Sequence, residues 1–269
     1  EFVDIFITDK NILLNLSLSH CKDNIYIYNH ALNVSLLTIN IAAALGYSKK
    51  QVVEIGIGSL LFDVGMLLIP KQIYMKEGKL TRSERYEVQK HPVLGLHLLE
   101  RIPNLPVSTP LIAYQSHERE NTKGYPKKRG KLLISNYSKI VQIADIFIAL
   151  ISTRPYRKAY MPYKAMEILI KLTKEGVISG EYVKAFLTYA SLFPVGSLVE
   201  LNDRRIGKII NANGSSFAKP VLSILTDTDG RLLPKDKIFQ IDLSHETDTH
   251  VVRALKLGYL KDVSLMDGF

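Results

Sequence analysis

The sequence predicts a mainly helical domain followed by a small antiparallel β domain. Three observations carry this expectation. Up to about residue 193 the apolar residues recur at spacings of three and four, the period of helices with one buried face. After Phe193-Pro194 the pattern changes to short β-branched runs separated by turn dipeptides. The charge divides at the same place. Lys and Arg number 35 against 26 Asp and Glu, but ten of each sign lie beyond residue 193, so the whole excess belongs to residues 1–193.

Each element can be justified in order. Residues 26–46, YIYNHALNVSLLTINIAAALG, have helical spacing and end at Gly46, a fitting C-terminal stop. Ser48 opens a second helix over about 49–68, closed by Pro70. Thr81-Arg82-Ser83-Glu84 has the form of a capping box, and the helix it opens is expected to run towards Arg101, before Pro103. Helices follow near 107–117, 133–151, 161–175 and 180–191. The runs SLVEL, IGKII, PVLSIL and KIFQIDL, with Asn213-Gly214 and Asp229-Gly230 as turns, read as strands. The expected organisation is therefore a helical domain over 1–193 and a β-rich appendage over 194–250. A short helical tail is expected over 251–269.

Composition narrows the classes. With 46% hydrophobic and 23% charged residues, the chain is ordinary globular protein. A single cysteine, Cys21, rules out an internal disulfide framework and a zinc site of paired cysteines. No uninterrupted apolar run reaches 18 residues, and the first residues lack the features of a signal peptide. A cytoplasmic protein without membrane contact is expected. His20 and His97 read as surface or packing residues, and His245-Glu246 with His250 lacks the spacing of a zinc-protease motif.

The informative residues are carboxylates and histidines inside apolar runs. Asp63 sits in GSLLFDVGMLLIP and Asp145 in KIVQIADIFIALI. A buried carboxylate needs a cation, a metal or strong donors. His30 faces the apolar side of the first helix, His91 precedes Pro92 and a Leu-rich helix, and His117 closes LIAYQSHE. Converging helices would gather these five residues into a site for a divalent metal. Taken separately, each also fits a core histidine bonded to a carbonyl or an Asp capping a neighbouring helix. The basic residues Lys123, Lys127, Lys128, Arg129 and Lys131, with Arg154, Arg157 and Lys158, would attract phosphates or form a solvated loop.

The spacing of these residues resembles the HD-GYP family, cyclic-di-GMP phosphodiesterases of the HD superfamily. The matching fragments are His30, Phe62-Asp63-Val64-Gly65, His91-Pro92, Ser116-His117-Glu118, Gly124-Tyr125-Pro126, IADIF and Arg154-Pro155-Tyr156-Arg157. They occur in this order, and the resemblance covers about residues 10 to 190. The resemblance implies an HD-superfamily helical bundle. It also implies metal ligands at His30, Asp63, His91, His117 and Asp145, with Asp63 the catalytic bridging carboxylate. Arg154 and Arg157, with Tyr125, would contact the dinucleotide. Gly124, Tyr125 and Pro126 would form a surface for a GGDEF-type partner. No nucleic acid polymer is expected as a partner.

The sequence departs from the family pattern at specific places. Phe62 replaces the His of the HD pair, Met66 replaces an assisting lysine, and Ser116 replaces the first His of His-His-Glu. Tyr26 stands where members with three metals carry a glutamate, and Asn121-Thr122 replaces an Asp-Gly. Ile148 replaces an Asp near the last ligand. The expectation is a degenerate HD-GYP domain that binds a cyclic dinucleotide, a GGDEF partner or both, with impaired or absent hydrolysis and one Fe, Mn or Zn ion if any. An active phosphodiesterase with a reduced metal site and a metal-free scaffold are the alternatives.

Overall fold

The computed structural model describes residues 26–153, 159–190, 193, 195–211, 213, 216 and 218–255. These fall into two compact units. The first holds the helices up to residue 160 and Lys164–Ala185; the second holds Met161–Tyr163 and the chain from Phe186 onward.

In the first unit, α1 (Tyr26–Ala44) packs on α2 (Lys49–Leu61) and on α7 (Asn136–Ile151). Gly46 follows α1 with φ +77°, the left-handed stop expected of it. Ser48 caps α2 in a reciprocal box with Gln51. Along α2, Gly58 lies so close to the Ile112 side chain that a Cβ there would overlap it. This brings α2 against α6 (Ser108–Gln115). Val34, Leu37, Ile41, Ile55, Ile112, Ile140, Ile143 and Phe147 close the core between these helices.

Two expected helices are each broken, and both breaks matter for the site. The 49–68 stretch is apolar and long enough to cross a membrane by composition alone. It is not one helix: α2 ends at Leu61, Asp63 leaves helical geometry at φ −101° and ψ 11°, and a 3-10 turn follows over Val64–Leu68. The stretch expected from Thr81 to Arg101 divides into α4 (Arg82–Val88) and α5 (His91–Leu99), after the short α3 (Lys71–Tyr74). The capping box of Thr81 and Glu84 opens α4 as expected. Pro92 explains the break. It has no N–H to give to the carbonyl four residues back, that of Val88. The His91 ring takes that carbonyl instead, with Nδ1 to Val88 O at 2.7 Å.

Helices α8 (Pro162–Lys174) and α9 (Gly180–Ala190) follow. The second unit is a five-stranded antiparallel sheet in the order β4-β3-β2-β1-β5. Strands β1 (Leu198–Leu201), β2 (Ile206–Asn211), β3 (Val221–Ile224) and β4 (Phe239–Asp242) are the expected runs. One face buries Val199, Leu201, Ile209, Leu222 and Ile224 with Leu243, and Phe193 stacks on Tyr163. The helical tail expected from residue 251 is corrected over Val251–Leu255, which form β5. These residues pair with the otherwise open edge of β1, where Glu200 and Arg253 form an ion pair. The remainder of the tail lies outside the described residues.

Candidate metal centre

Five elements deliver the five singled-out residues to one place. His30 comes from α1 and Asp145 from α7. Asp63 stands in the turn that ends α2, His91 is the first residue of α5, and His117 lies two residues beyond α6. Asp63 Oδ1 is 3.2 Å from His91 Nε2 and 3.4 Å from His117 Nε2. His30 Nε2 is 3.1 Å from Asp145 Oδ1, and Asp145 Oδ2 is 3.8 Å from His117 Nδ1.

Glycines set the approach. A Cβ on Gly65 would overlap the His91 carbonyl oxygen and stand 2.6 Å from the Gly95 nitrogen. Only glycine lets the turn carrying Asp63 lie on the start of α5. On the other side, a Cβ on Gly124 would run into the backbone of Glu118 and Arg119. That close contact seats Tyr125 flat on His117, with ring centroids 5.0 Å apart and 10° between planes, and edge-on to His91. Buried Glu118 holds the same loop by accepting the N–H groups of Lys127 and Arg129 at 2.8 and 2.7 Å.

The electrostatics follow from this packing. Burial alone would raise the Asp63 carboxyl, but the hydrogen bond from His117, the close approach of His91 and the charge of both hold it well below the usual carboxylate range. For His91, burial works downward and is outweighed by the close contact and charge of Asp63, so its pKa is raised. His117 goes the other way, lowered by burial and by the neighbouring His91 charge against the pull of Asp63. Burial and the two carboxylates Asp63 and Asp145 push the Tyr125 hydroxyl up, keeping it protonated.

Asp63, His91 and His117 bring one ligand atom each within 4.8 Å of one another. Their chemistry fits a cation. With His91 Nδ1–H committed to the Val88 carbonyl, a neutral ring turns its Nε2 lone pair towards Asp63 Oδ1. That buried Nε2 has no hydrogen-bond partner, and Asp63 Oδ1 stands beside it as a close charge contact. Two acceptors face each other, an arrangement that a divalent ion satisfies and an apolar core does not. His30 and Asp145 are instead bonded directly to each other. Fully buried Phe62 lies beside both parts, its ring centroid 6.1 Å from His30 and 6.2 Å from His117. Ser116 is also fully buried, but its hydroxyl donates to the Ala113 carbonyl at 3.2 Å. Arg154 and Arg157 lie outside the described residues. Lys123, Lys127, Lys128 and Lys131 are exposed, as a solvated basic loop requires.

Residues 13–178 match the sequence model of the HD domain, more than half of the chain. The chain belongs to the HD-domain family. Residues 198–262 match the model of a KOW domain associated with HD domains, which covers the sheet. A cyclic di-GMP phosphodiesterase of Pseudomonas aeruginosa is 27% identical over 88% of this chain and 57% of its own length. A second, from Borreliella burgdorferi, is 26% identical over 84% of this chain and 59% of its own length. A 3'3'-cGAMP-specific phosphodiesterase of Vibrio cholerae is 31% identical over 54% of this chain and 33% of its own length. The chain thus spans under 60% of the length of these curated relatives. An HDG"Y"P protein from Bdellovibrio bacteriovorus shares the fold, with a TM-score of 0.58 at 20% identity over 69% of this chain and 58% of that one.

Sequence reasoning found the five convergent residues but gave no role to Gly65, Gly95, Glu118 or Arg119. Their signal was present: a glycine two residues after Asp63 and a proline directly after His91 both mark helix breaks.

Proposed function

We propose that this HD domain is a cyclic-dinucleotide signalling module with a one-ion site and impaired hydrolysis. The observation that carries the reading is Phe62. It takes the position of an HD-pair histidine, offers no ligand, and sets a fully buried apolar ring beside both His30 and His117. His30 and Asp145 are spent on each other. Asp63, His91 and His117 remain to hold one Fe, Mn or Zn ion, two imidazoles and a carboxylate with room for exchangeable ligands.

When bound, such an ion supplies Lewis acidity toward a phosphate oxygen and acidifies a coordinated water. The chain's own residues do the rest. Asp63 stays ionised and draws both imidazoles toward one point. The Val88 carbonyl fixes the orientation of His91, and Tyr125 covers one face of His117 against water. Met66 supplies no charge to the departing oxygen where a lysine would. Loss of the second ion and of that lysine corresponds to a rate deficit of ~10³-fold or more, since one such electrostatic contact is worth about 10²–10³.

The finer assignments belong to the same reading. Arg154 and Arg157 grip the phosphates as bidentate forks. The Gly124-Tyr125-Pro126 loop, with Gly124 itself buried against the Glu118 and Arg119 backbone, is the surface for a GGDEF-type partner, and the protein works in the cytoplasm. The relatives' action on cyclic di-GMP and 3'3'-cGAMP supports the ligand class. The intact Asp63, His91 and His117 cluster favours residual phosphodiesterase activity as the second reading.

The test is an anaerobic assay with Mn²⁺ or Fe²⁺, both dinucleotides and chromatographic separation of linear products, with Asp63→Ala as control. Tight dinucleotide binding with turnover at least ~10³ below that of a complete two-metal enzyme is expected. Fast metal-dependent turnover would refute the impairment, and no dinucleotide binding would refute the signalling role.

A further inference from the structure

Helix α6 ends at Gln115, so the carbonyls that follow have lost their helical donors. Every carbonyl from Gln115 to Arg119 nevertheless has a partner. Gln115 O accepts from Glu118 N at 3.0 Å and from Gln142 Nε2 at 3.1 Å. Ser116 O and Glu118 O both accept from Arg119 Nη1, at 3.1 and 2.7 Å. His117 O accepts from Tyr125 N at 3.0 Å, and Arg119 O from Thr122 N at 2.9 Å. The two carbonyls that flank His117 are therefore joined through a single guanidinium nitrogen.

An arginine near a helix C-terminus often bonds the last carbonyls at the surface. Arg119 differs in two ways. Its side chain is largely buried, and burial pushes its pKa down. No carboxylate lies within ion-pairing distance of it among the described residues, although Glu118 is its chain neighbour. That carboxylate is occupied by the N–H groups of Lys127 and Arg129. Burying a guanidinium with no ion-paired partner is costly, a cost that the charges of Asp145 and Glu118 offset in part, and what it secures is the turn that aims His117 Nε2 at Asp63.

We propose that Arg119 is a positioning residue for His117, a role that rests on the metal-site reading for its consequence but not for its geometry. The guanidinium bridges the Ser116 and Glu118 carbonyls, and the Gly124-Tyr125 backbone closes on the carbonyl between them. The ring of His117 is held from its own backbone as well as by Tyr125.

The experiment compares the whole chain with Arg119→Met and Arg119→Lys. Thr81→Ala, an exposed cap whose hydrogen bonds stay within its own turn, serves as a control for stability loss alone. In metal-free protein, long-range ¹H–¹⁵N correlations report the order of the His117 ring. Titration with Co²⁺ reports affinity and ligand set through its visible absorption. Arg119→Met is expected to broaden or shift the His117 correlations and to weaken Co²⁺ binding ~10-fold or more, the range for lost orienting contacts. Arg119→Lys, which keeps the charge but bonds one carbonyl at a time, should recover part of both. Thr81→Ala should change neither.

His117 correlations that match the native protein in Arg119→Met would overturn the proposal, whether or not metal binds. So would native Co²⁺ affinity and spectrum in that variant. If Arg119→Met does not fold, Arg119→Lys decides: an undisturbed His117 ring there also overturns it. Absence of Co²⁺ binding by the native chain would sink the metal reading alone, and the metal-free correlations would still judge Arg119.

Discussion

Phe62→His tests whether one ring keeps the site at a single ion. The phenyl ring is fully buried beside His30 and His117. Removing that burial costs about 1.5–3 kcal/mol. The new imidazole brings a polar nitrogen into the same space, at about 1–3 kcal/mol if it finds no partner. The metal-free variant should thus lose roughly 3–5 kcal/mol by, or about 10 °C in Tm for a domain of this size. An added ion would satisfy the new nitrogen together with His30, Asp63 and Asp145. At an ion concentration about 100 times its Kd, that linkage returns roughly 2.7 kcal/mol. The assays are thermal unfolding with and without Mn²⁺, and metal content after dialysis. Stoichiometry should rise from one towards two, and metal should raise the Tm of the variant more than that of the native chain. Turnover should stay low, because Met66 and Ser116 are unchanged. An unaltered metal-free Tm would refute the packing argument. A single substitution that gave the turnover of a complete two-metal enzyme would refute the account of the impairment.

Three further outcomes follow from the same geometry. Gly65→Ala places a methyl against the His91 carbonyl and the Gly95 nitrogen, backbone atoms that cannot swing away. It should cost several kcal/mol, in the range of a strained close approach, and weaken metal binding by separating Asp63 from His91, as calorimetry would register. Thr81→Ala removes one side of a capping box and should lower stability by about 1 kcal/mol in chemical unfolding, with metal affinity unchanged. Metal affinity should fall as pH falls. Although burial opposes it, the close contact and charge of Asp63 raise the His91 pKa, so this proton persists to higher pH than on a free imidazole. An ion must displace that proton, and its apparent affinity should drop about tenfold per pH unit below the His91 pKa. A titration flat from pH 8 to 5 would exclude His91 as a ligand.

The helices and first four strands were legible because each carries its own signal: the Ser48 and Thr81 caps, the Gly46 stop, and β-branched runs cut by turn dipeptides. Strand β5 was not. Val251–Leu255 has no flanking turn pair of its own, and it is a strand because β1 offers an open edge, a tertiary fact. The two broken helices fall between these cases. Apolar periodicity ran through Asp63 and through His91 without interruption, and it cannot distinguish a continuous helix from two pieces in register. Pro92 held the missing information for one break. For the other it lay in Gly65, whose role depends on Gly95, 30 positions away in the sequence.

The same distinction explains why the site's members were easier to read than its aim. A carboxylate inside an apolar run is conspicuous because its burial needs compensation, so Asp63 and Asp145 could be singled out one at a time. The direction each histidine points is set by backbone groups, which the sequence does not display. His91 is turned by the carbonyl that Pro92 leaves unbonded, and His117 by carbonyls that lost their donors when α6 ended. In both places a helix is interrupted within two residues of the histidine, and the freed backbone group is what orients the ring. The interruption that costs helical hydrogen bonds therefore fixes the nitrogens that face Asp63. A continuous helix at either position would keep its hydrogen bonds and lose the site.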